Sequence, residues 1–145
     1  MSVDFKPEGY HTVTPYLVVE GAADAIKFMS DAFGATEIMR LEGADGRVGH
    51  AEVRIGDSVV MIADAPAPDA TRQGMLHLYL EDADATYARA IELGATSKRE
   101  PTTEFYGDRI ADFEDAWGNR WSVATHVEDV SQEEMARIAA QFGGG

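Results

Sequence analysis

The sequence predicts an α+β fold made of two βαβββ modules, whose curved mixed sheets surround a cavity. The first reason is a duplicated order: an apolar strand, an amphipathic helix and a hairpin occur twice, about 60 residues apart. The second is a repeated phrase after each helix, FGATE from Phe33 and LGATS from Leu93, whose glycines suit the left-handed residue that ends a helix. Such a repeat predicts a pseudo-symmetric fold with a site between its copies.

The first module is predicted to span about residues 12–64, after a loose polar arm of residues 1–11. Its first strand alternates from Val13 to Val19, and Pro15 places that strand at a sheet edge or a bulge. A helix with an apolar stripe follows Gly21. Further strands are expected at Ile38–Leu41, Val48–Ile55 and Ser58–Ala63, with a hairpin turn at Gly56–Asp57.

The second module is predicted to span about residues 75–127, after a proline-rich linker at residues 65–74 (APAPDATRQG). A strand from Met75 leads into a helix that begins at about Asp82. A loop is expected at Pro101–Gly107, with strands at Ile110–Phe113 and Arg120–Thr125 on either side of a turn at Gly118–Asn119.

An additional C-terminal helix is predicted at about residues 131–142, because Ser131 and Glu134 have the spacing of a capping box. Its short apolar stripe lies outside the repeat. The stripe therefore predicts a helix that seals a dimer interface or covers the site.

Composition excludes several classes of function. The chain of 145 residues contains no cysteine, which excludes disulfides, thiolate metal sites and cysteine nucleophiles. Its formal charge of −14 argues against binding to nucleic acid and is compatible with a cationic or neutral small ligand, or with solubility alone. No apolar run has membrane-spanning length and no signal sequence precedes the first module, so we expect a cytoplasmic protein without a membrane partner.

Strand alternation predicts which side chains line the cavity, because the purely apolar face of each strand should pack on the helices. Aligning Gly56 with Gly118 superposes Asp64 on His126 and Val60 on Ser122. The mixed faces then contribute Thr14, Tyr16, His50, Glu52, Val60, Ile62, Asp64, Met75, His77, Tyr79, Ser122, Ala124 and His126.

The duplicated unit and two phrases, LHLYLEDADATYARAIELGAT and FYGDRIADFEDAWGNRWSVATH, resemble the vicinal-oxygen-chelate superfamily. That superfamily includes glyoxalase I, bleomycin-resistance proteins and extradiol dioxygenases. The resemblance covers roughly Val13 to His126, and with SQEEMARIAA after it the chain is similar to the PhnB-like, glyoxalase/bleomycin-resistance branch. The resemblance implies a fold more strongly than an activity, since one fold supports many functions.

Enzymes of that superfamily hold a divalent metal with His, Glu or Gln at four equivalent strand positions. By resemblance these positions fall near Thr14, near Val60 or Ile62, on Met75 or His77, and on Ser122. Only His77 is a metal-ligand type there, and it fits only if the strand register is shifted by two, so the standard metal site is expected to be degenerate. A displaced divalent metal site stays open, with His77, His50 and Glu52 as candidate ligands; the alternative is that these are hydrogen-bonded wall residues.

Aromatic side chains indicate a second way of binding, because planar ligands stack on them without any chemistry. Two of these assignments have an alternative. Trp117 either contacts the ligand or only caps its hairpin, and Arg109 either binds an acidic group of the ligand or pairs only with Asp112 or Asp115. The predicted ligand-binding residues are Tyr16, His50, Glu52, His77, Tyr79, Tyr106, Arg109, Trp117 and Ser122.

Two functions therefore remain open, and no catalytic residue is identified. The resemblance implies a homodimeric binding protein of the bleomycin-resistance type, which sequesters an aromatic or cationic small molecule in a cavity between the modules. The other hypothesis is a metal-dependent lyase, isomerase or dioxygenase of the glyoxalase type with an atypical ligand set.

Overall fold

A computed structural model describes residues 4–142, in two compact units that divide between Gly74 and Met75. Each unit contains a strand, a helix and three further strands, and each forms one four-stranded mixed sheet. The predicted α+β fold of two βαβββ modules is therefore confirmed. None of the helices in this range has the length and apolar character that crossing a bilayer requires.

The elements of the first unit are β1 (Tyr16–Val19), α1 (Ala22–Phe33), β2 (Thr36–Glu42), β3 (Val48–Ile55), β4 (Ser58–Asp64) and a short 3-10 helix (Pro68–Ala70) in the linker. The four strands form a sheet in the order β1-β4-β3-β2. The strand β1 is parallel to β4, and the other neighbours are antiparallel. A parallel pair needs a long connection, which α1 and the β2–β3 hairpin supply.

The elements of the second unit are β5 (Met75–Tyr79), α2 (Ala83–Glu92), β6 (Thr96–Thr103), β7 (Asp108–Glu114), β8 (Arg120–His126) and α3 (Gln132–Phe142). Its sheet repeats the topology of the first in the order β5-β8-β7-β6, and α3 is a third helix outside the repeat. As the capping-box sequence predicts, Ser131 Oγ accepts a hydrogen bond from the Glu134 N–H at 3.1 Å at the start of α3.

The loop predicted at Pro101–Gly107 is shorter than expected. The strand β6 continues through Pro101 to Thr103, so only residues 104–107 connect it to β7. Proline lacks a backbone N–H, and β6 tolerates it because β6 is an edge strand whose register shifts between Arg99 and Thr102.

The core of each unit lies between its helix and one face of its sheet. In the first unit, Met29 of α1 and Val53 and Ile62 of the sheet are almost completely buried. In the second unit the largest buried side chain is Trp121, whose indole N–H donates to Asp115 Oδ2 at 2.8 Å. That contact satisfies the one polar atom of the indole and lets the ring serve as core.

The register of β4 corrects one part of the cavity prediction. Met61 pairs with Glu52, whereas Val60 pairs with Val53 of the helix-facing side. Successive side chains of a strand point to opposite faces, so Ile62 and Asp64 lie with Val60 on the helix side. The prediction that these three residues face the cavity beside Glu52 is wrong.

The cause of this error is a difference in turn length. Two residues, Gly56 and Asp57, connect β3 to β4. At the equivalent turn of the second unit, Asp115 N–H donates to the Asn119 carbonyl at 2.9 Å, so three residues lie between them. Aligning the two turns on Gly56 and Gly118 therefore displaced β4 by one residue, and a one-residue shift exchanges the two faces of a strand.

Asp64 instead holds the start of α1. Its Oδ1 accepts from the backbone N–H groups of Gly21 at 2.8 Å and Ala22 at 2.9 Å, and its Oδ2 accepts from Val48 at 2.8 Å. In the second unit Thr125 Oγ1 accepts from the N–H of Ala83 at 2.9 Å, the corresponding helix start. The last strand of each module thus satisfies backbone donors that a helix N-terminus leaves free.

Candidate functional site

The face of each sheet that turns away from the helix carries polar side chains, and we call it the polar face of that unit. A row of three side chains crosses the centre of each polar face. In the first unit the row is Tyr16, Met61 and Glu52, on β1, β4 and β3. In the second unit the corresponding row is His77, Ser122 and Asp112, on β5, β8 and β7.

Four side chains form a continuous hydrogen-bonded network on the first polar face. Glu52, only 7% exposed, accepts a hydrogen bond from the Tyr10 hydroxyl at Oε1. Its Oε2 lies 2.7 Å from His50 Nε2, and His50 Nδ1 lies 2.8 Å from the Tyr16 hydroxyl. Because an ionised carboxylate only accepts, His50 carries its proton on Nε2 and, when neutral, accepts from Tyr16 at Nδ1.

The protonation of this network is set by its own hydrogen bonds. The bond from Tyr10 lowers the pKa of Glu52 below 4.5, with a further contribution from His50, although burial acts in the opposite direction. The same bond raises the pKa of Tyr10 above 10. At neutral pH the pair is therefore a buried carboxylate and a protonated phenol.

The N-terminal arm, here residues 4–14, lies over this network and forms a groove with it. The sequence predicted a loose arm, but Arg54 Nη1 donates to the Gly9 carbonyl at 3.2 Å and Lys6 Nζ donates to the Tyr10 carbonyl at 2.9 Å. The groove has a volume of about 340 Å³. Its walls are seven arm residues on one side, and Glu52 and Met61 on the other.

A second network lies at the edge of the second polar face, around the buried Asp108. Tyr79 donates its hydroxyl to Oδ2 at 2.8 Å, and His126 Nδ1 lies 2.7 Å from Oδ1. The other ring nitrogen of His126 lies 2.7 Å from Asp129 Oδ1. Burial raises the pKa of Asp108, but the bonds from His126 and Tyr79 outweigh it and the net pKa lies below 3.8.

Ser122 is hydrogen bonded to another buried carboxylate, that of Asp112. Asp112, 2% exposed, accepts from Ser122 Oγ at 2.8 Å and from Arg120 Nη2 at 2.7 Å. Burial raises the pKa of Asp112, but these two bonds lead to a net lowering below 3.8. The Ser122 hydroxyl therefore already has an acceptor for its proton and retains only lone pairs for a ligand.

The other predicted residues have different environments. His77 is exposed, its ring lies 5.0 Å from the Tyr79 ring, and its side chain makes no hydrogen bond to any residue within 4–142. Arg109 makes two bonds of 3.0 Å to Asp84 of α2, so the predicted pairing with Asp112 or Asp115 is wrong.

Tyr106 and Trp117 belong to the two turns that flank β7. The Tyr106 ring lies 5.4 Å from that of Phe105. The Trp117 backbone N–H donates to Asp115 Oδ1 at 2.9 Å, which fixes the hairpin turn. Tyr16, His50, Glu52 and Tyr79 are hydrogen bonded within the networks around Glu52 and Asp108.

Sequence reasoning missed Tyr10, Asp108 and Asp112. The two aspartates are four positions apart on β7, and this even spacing was a usable signal that they share a face. Tyr10 had no comparable signal, because the arm has no periodicity that would place it over the sheet.

A metal centre does not fit the donors that the structure brings together. Between residues 4 and 142, no three His, Cys, Asp or Glu side chains are arranged to hold a metal ion. Both ring nitrogens of His50 and of His126 are occupied by carboxylate or tyrosine partners. These donors point at one another rather than at a shared position.

Sequence comparison identifies relatives over the whole chain. The profile of the Glyoxalase/Bleomycin resistance protein/Dioxygenase superfamily matches residues 10–123. An uncharacterized protein of Mycobacterium bovis is 31% identical over 156 residues, covering 100% of this chain and 100% of the relative. One from Mycobacterium tuberculosis is also 31% identical, covering 100% of this chain and 89% of the relative.

Solved structures share the fold at lower identity. TioX from Micromonospora sp. ML1 has a TM-score of 0.69 at 20% identity, covering 81% of this chain and 99% of that one. TnmS3, an antibiotic binding protein from Streptomyces sp. CB03234, has a TM-score of 0.63 at 23% identity, covering 87% and 98%. A glyoxalase I mutant from Zea mays has a TM-score of 0.64 at 17% identity, covering 79% and 44%. The resemblance to this superfamily is confirmed, while the PhnB-like branch stays a prediction.

Proposed function

The chain belongs to the glyoxalase/bleomycin resistance protein/dioxygenase superfamily, and we propose that it sequesters a small aromatic ligand, neutral or cationic, without chemical conversion. The observation that carries this proposal is the groove over the first polar face. The buried Glu52 lines this groove together with Phe5, Tyr10 and Met61. The fold alone supports many activities, so the function depends on this site.

The groove combines the two features that a site for a planar ligand needs. Aromatic and thioether side chains remove the ring of a ligand from water, and one buried carboxylate orients it through a charge-assisted hydrogen bond. Its volume of about 340 Å³ is within the usual range for small-molecule pockets. The formal charge of −14 adds a long-range attraction for cations.

Binding without chemistry is favoured by the state of the imidazoles. A general base needs a nitrogen that reaches the proton of the substrate. Both nitrogens of His50 and of His126 are already hydrogen bonded within the protein. A further point of support is the shared fold of TnmS3, which is named as an antibiotic binding protein.

The alternative hypothesis is a metal-dependent lyase, isomerase or dioxygenase. The observation that favours it is the exposed imidazole of His77, which has no hydrogen-bond partner among residues 4–142. Metal analysis of purified protein distinguishes the two functions, since one tightly held metal ion per chain would contradict the binding function and support the enzyme.

The proposal is tested by thermal shift with planar aromatic compounds, including the neutral 2-naphthol and the cationic proflavine. A ligand at 100 times its dissociation constant stabilises the protein by about 2.7 kcal/mol. Glu52→Gln should weaken binding about tenfold or more, since a lost charged partner costs about 1–3 kcal/mol. The control is Glu81→Gln, which removes the same charge from an exposed position of the other unit. Equal affinities in the two variants would refute the site.

A further inference from the structure

Tyr10 lines the groove, and its hydroxyl is bonded to Glu52 Oε1, the acceptor that a ligand in the groove would use. We propose that the free protein occupies its own site with the Tyr10 phenol, and that the ligand carries an aromatic hydroxyl group which displaces Tyr10 from Glu52. This inference rests on the proposed function, because it defines the class of ligand for the same groove.

The two oxygens of Glu52 have partners of different origin. Oε2 is bound by His50, a residue of the same strand two positions away. Oε1 is bound by Tyr10, which belongs to the arm and is separated from Glu52 by 42 positions in the chain. The Oε1 position is therefore the one that becomes available when the arm moves.

Few hydrogen bonds hold the arm against the sheet. Within the part of the chain that the structure describes, two hydrogen bonds join residues 4–14 to the strands of the first unit: that of Tyr10 to Glu52, and that of Arg54 to the Gly9 carbonyl at 3.2 Å. The Lys6 and Thr14 side chains bond to carbonyl groups of the arm itself. Displacing Tyr10 therefore breaks no strand pairing.

The chemistry of Glu52 selects the group that replaces Tyr10. A buried carboxylate that loses a donor without gaining another is strongly disfavoured. An aromatic hydroxyl restores the same hydrogen bond and places a ring where the Tyr10 ring was. An otherwise identical ring without a donor leaves Oε1 without a partner, so the site should discriminate against it.

Self-occupation also lowers the affinity that a ligand shows. When only a fraction of the molecules has an open site, the measured dissociation constant rises in inverse proportion to that fraction. Weakening the hold of Tyr10 on Glu52 should therefore tighten ligand binding. A wall residue that merely contacts the ligand would have the opposite effect when it is truncated.

The experiment compares two probes with the same ring system, 2-naphthol and its methyl ether 2-methoxynaphthalene, by calorimetric titration of the full chain. Tyr10→Phe removes the hydroxyl and keeps the ring. Tyr87→Phe is the control, since it removes a hydroxyl that is bonded to Ser97 in the other unit. We expect 2-naphthol to bind Tyr10→Phe at least about fivefold more tightly than wild type, by removal of the competitor. We expect Tyr87→Phe to equal wild type, and the ether to bind at least about tenfold more weakly than 2-naphthol.

A second measurement follows the arm directly. In wild type, amide hydrogen exchange in residues 8–14 should accelerate when 2-naphthol is bound, and this readout does not require a stable variant. Unchanged exchange, or a Tyr10→Phe affinity equal to or below that of wild type, would overturn the displacement of Tyr10. If proflavine then still binds in a Glu52-dependent manner, the proposed function stands without it; if neither probe binds, both proposals fail.

Discussion

Replacing Asp64 by Asn tests the role that the structure gives this carboxylate. Its two oxygens accept three backbone hydrogen bonds, from Gly21 and Ala22 at the start of α1 and from Val48 at the start of β3. Asn has nearly the same shape but only one accepting oxygen. The substitution therefore removes a charge and one acceptor while it preserves packing.

The expected loss of stability follows from these contacts. If the Asn oxygen keeps the bonds to Gly21 and Ala22, its NH2 group faces the Val48 N–H, and an unsatisfied buried donor costs about 1–3 kcal/mol. The two remaining bonds lose their charge assistance, and the helix N-terminus loses a favourable anion, which contributes about 0.3–1 kcal/mol. We expect a total loss of about 2–4 kcal/mol, or a fall in Tm of about 6–12 °C for a chain of this size.

The pH dependence gives a second signature. Burial raises the pKa of Asp64, but the backbone donors outweigh it and the net pKa lies below 3.8. A depressed pKa contributes stability that is complete above 3.8 and is lost as the pH falls through the folded-state value. The difference between wild type and Asp64→Asn should thus be full at pH 7 and shrink below pH 3.8.

Thermal melts followed by circular dichroism, at pH 7 and at a pH below 3.8, provide the measurement. Asp57→Asn is the matched control, because Asp57 lies in the exposed turn before β4 and accepts a hydrogen bond from the hydroxyl of its neighbour Ser58. If Asp64→Asn melted with the control at pH 7, or if its deficit persisted in acid, the capping role would be refuted.

Three further predictions concern other parts of the chain. Gly107→Ala should lower the free energy of unfolding, measured by urea denaturation, by about 3 kcal/mol or more, because the new Cβ would lie 2.0 Å from the Glu128 carbonyl oxygen. Gly46→Ala has open space around the new Cβ and should lower it by only about 1–2 kcal/mol. Since His77 is exposed, His77→Ala should lower the free energy of unfolding by under about 1 kcal/mol in the same assay. Leu78→Ala, at a half-buried position, should lower it by about 1–3 kcal/mol. If His77→Ala were the more destabilising of the two, the faces assigned to β5 would be wrong. Because α3 adds an amphipathic helix to the repeat, light scattering at micromolar concentration should give twice the 15.7 kDa of one chain, and the mass of a single chain would contradict the homodimer.

The fold was predictable because its information is local and repeated. The helices α1 and α2 are each followed within two residues by a glycine at positive φ, with values of 70° at Gly34 and 105° at Gly94. Strand alternation also placed His50 and Glu52 together on β3, and His77 and Tyr79 together on β5. These features depend on neighbours two to four residues apart, which a single sequence displays.

The remaining parts of the site depend on contacts between distant positions. Tyr10 meets Glu52 across 42 positions, and no local pattern encodes that contact. From sequence alone, Asp112 is indistinguishable from a surface acid in a chain of charge −14. In the structure it is only 2% exposed, and its carboxylate accepts hydrogen bonds from Ser122 and Arg120. Burial of a charge becomes visible only when its partners are known.

The different lengths of the two hairpin turns show where this protein can accept additional sequence. The second turn holds one residue more than Gly56–Asp57, yet Tyr16 and Met61 pair as His77 and Ser122 do. Residues added at a turn leave the register of the strands unchanged, whereas one residue added within a strand would exchange its faces. A reporter peptide or an environment-sensitive fluorophore can therefore be introduced at Gly56–Asp57 with the groove residues still on their side of the sheet. The turn at Gly56–Asp57 is therefore a suitable attachment point for a reporter of ligand binding.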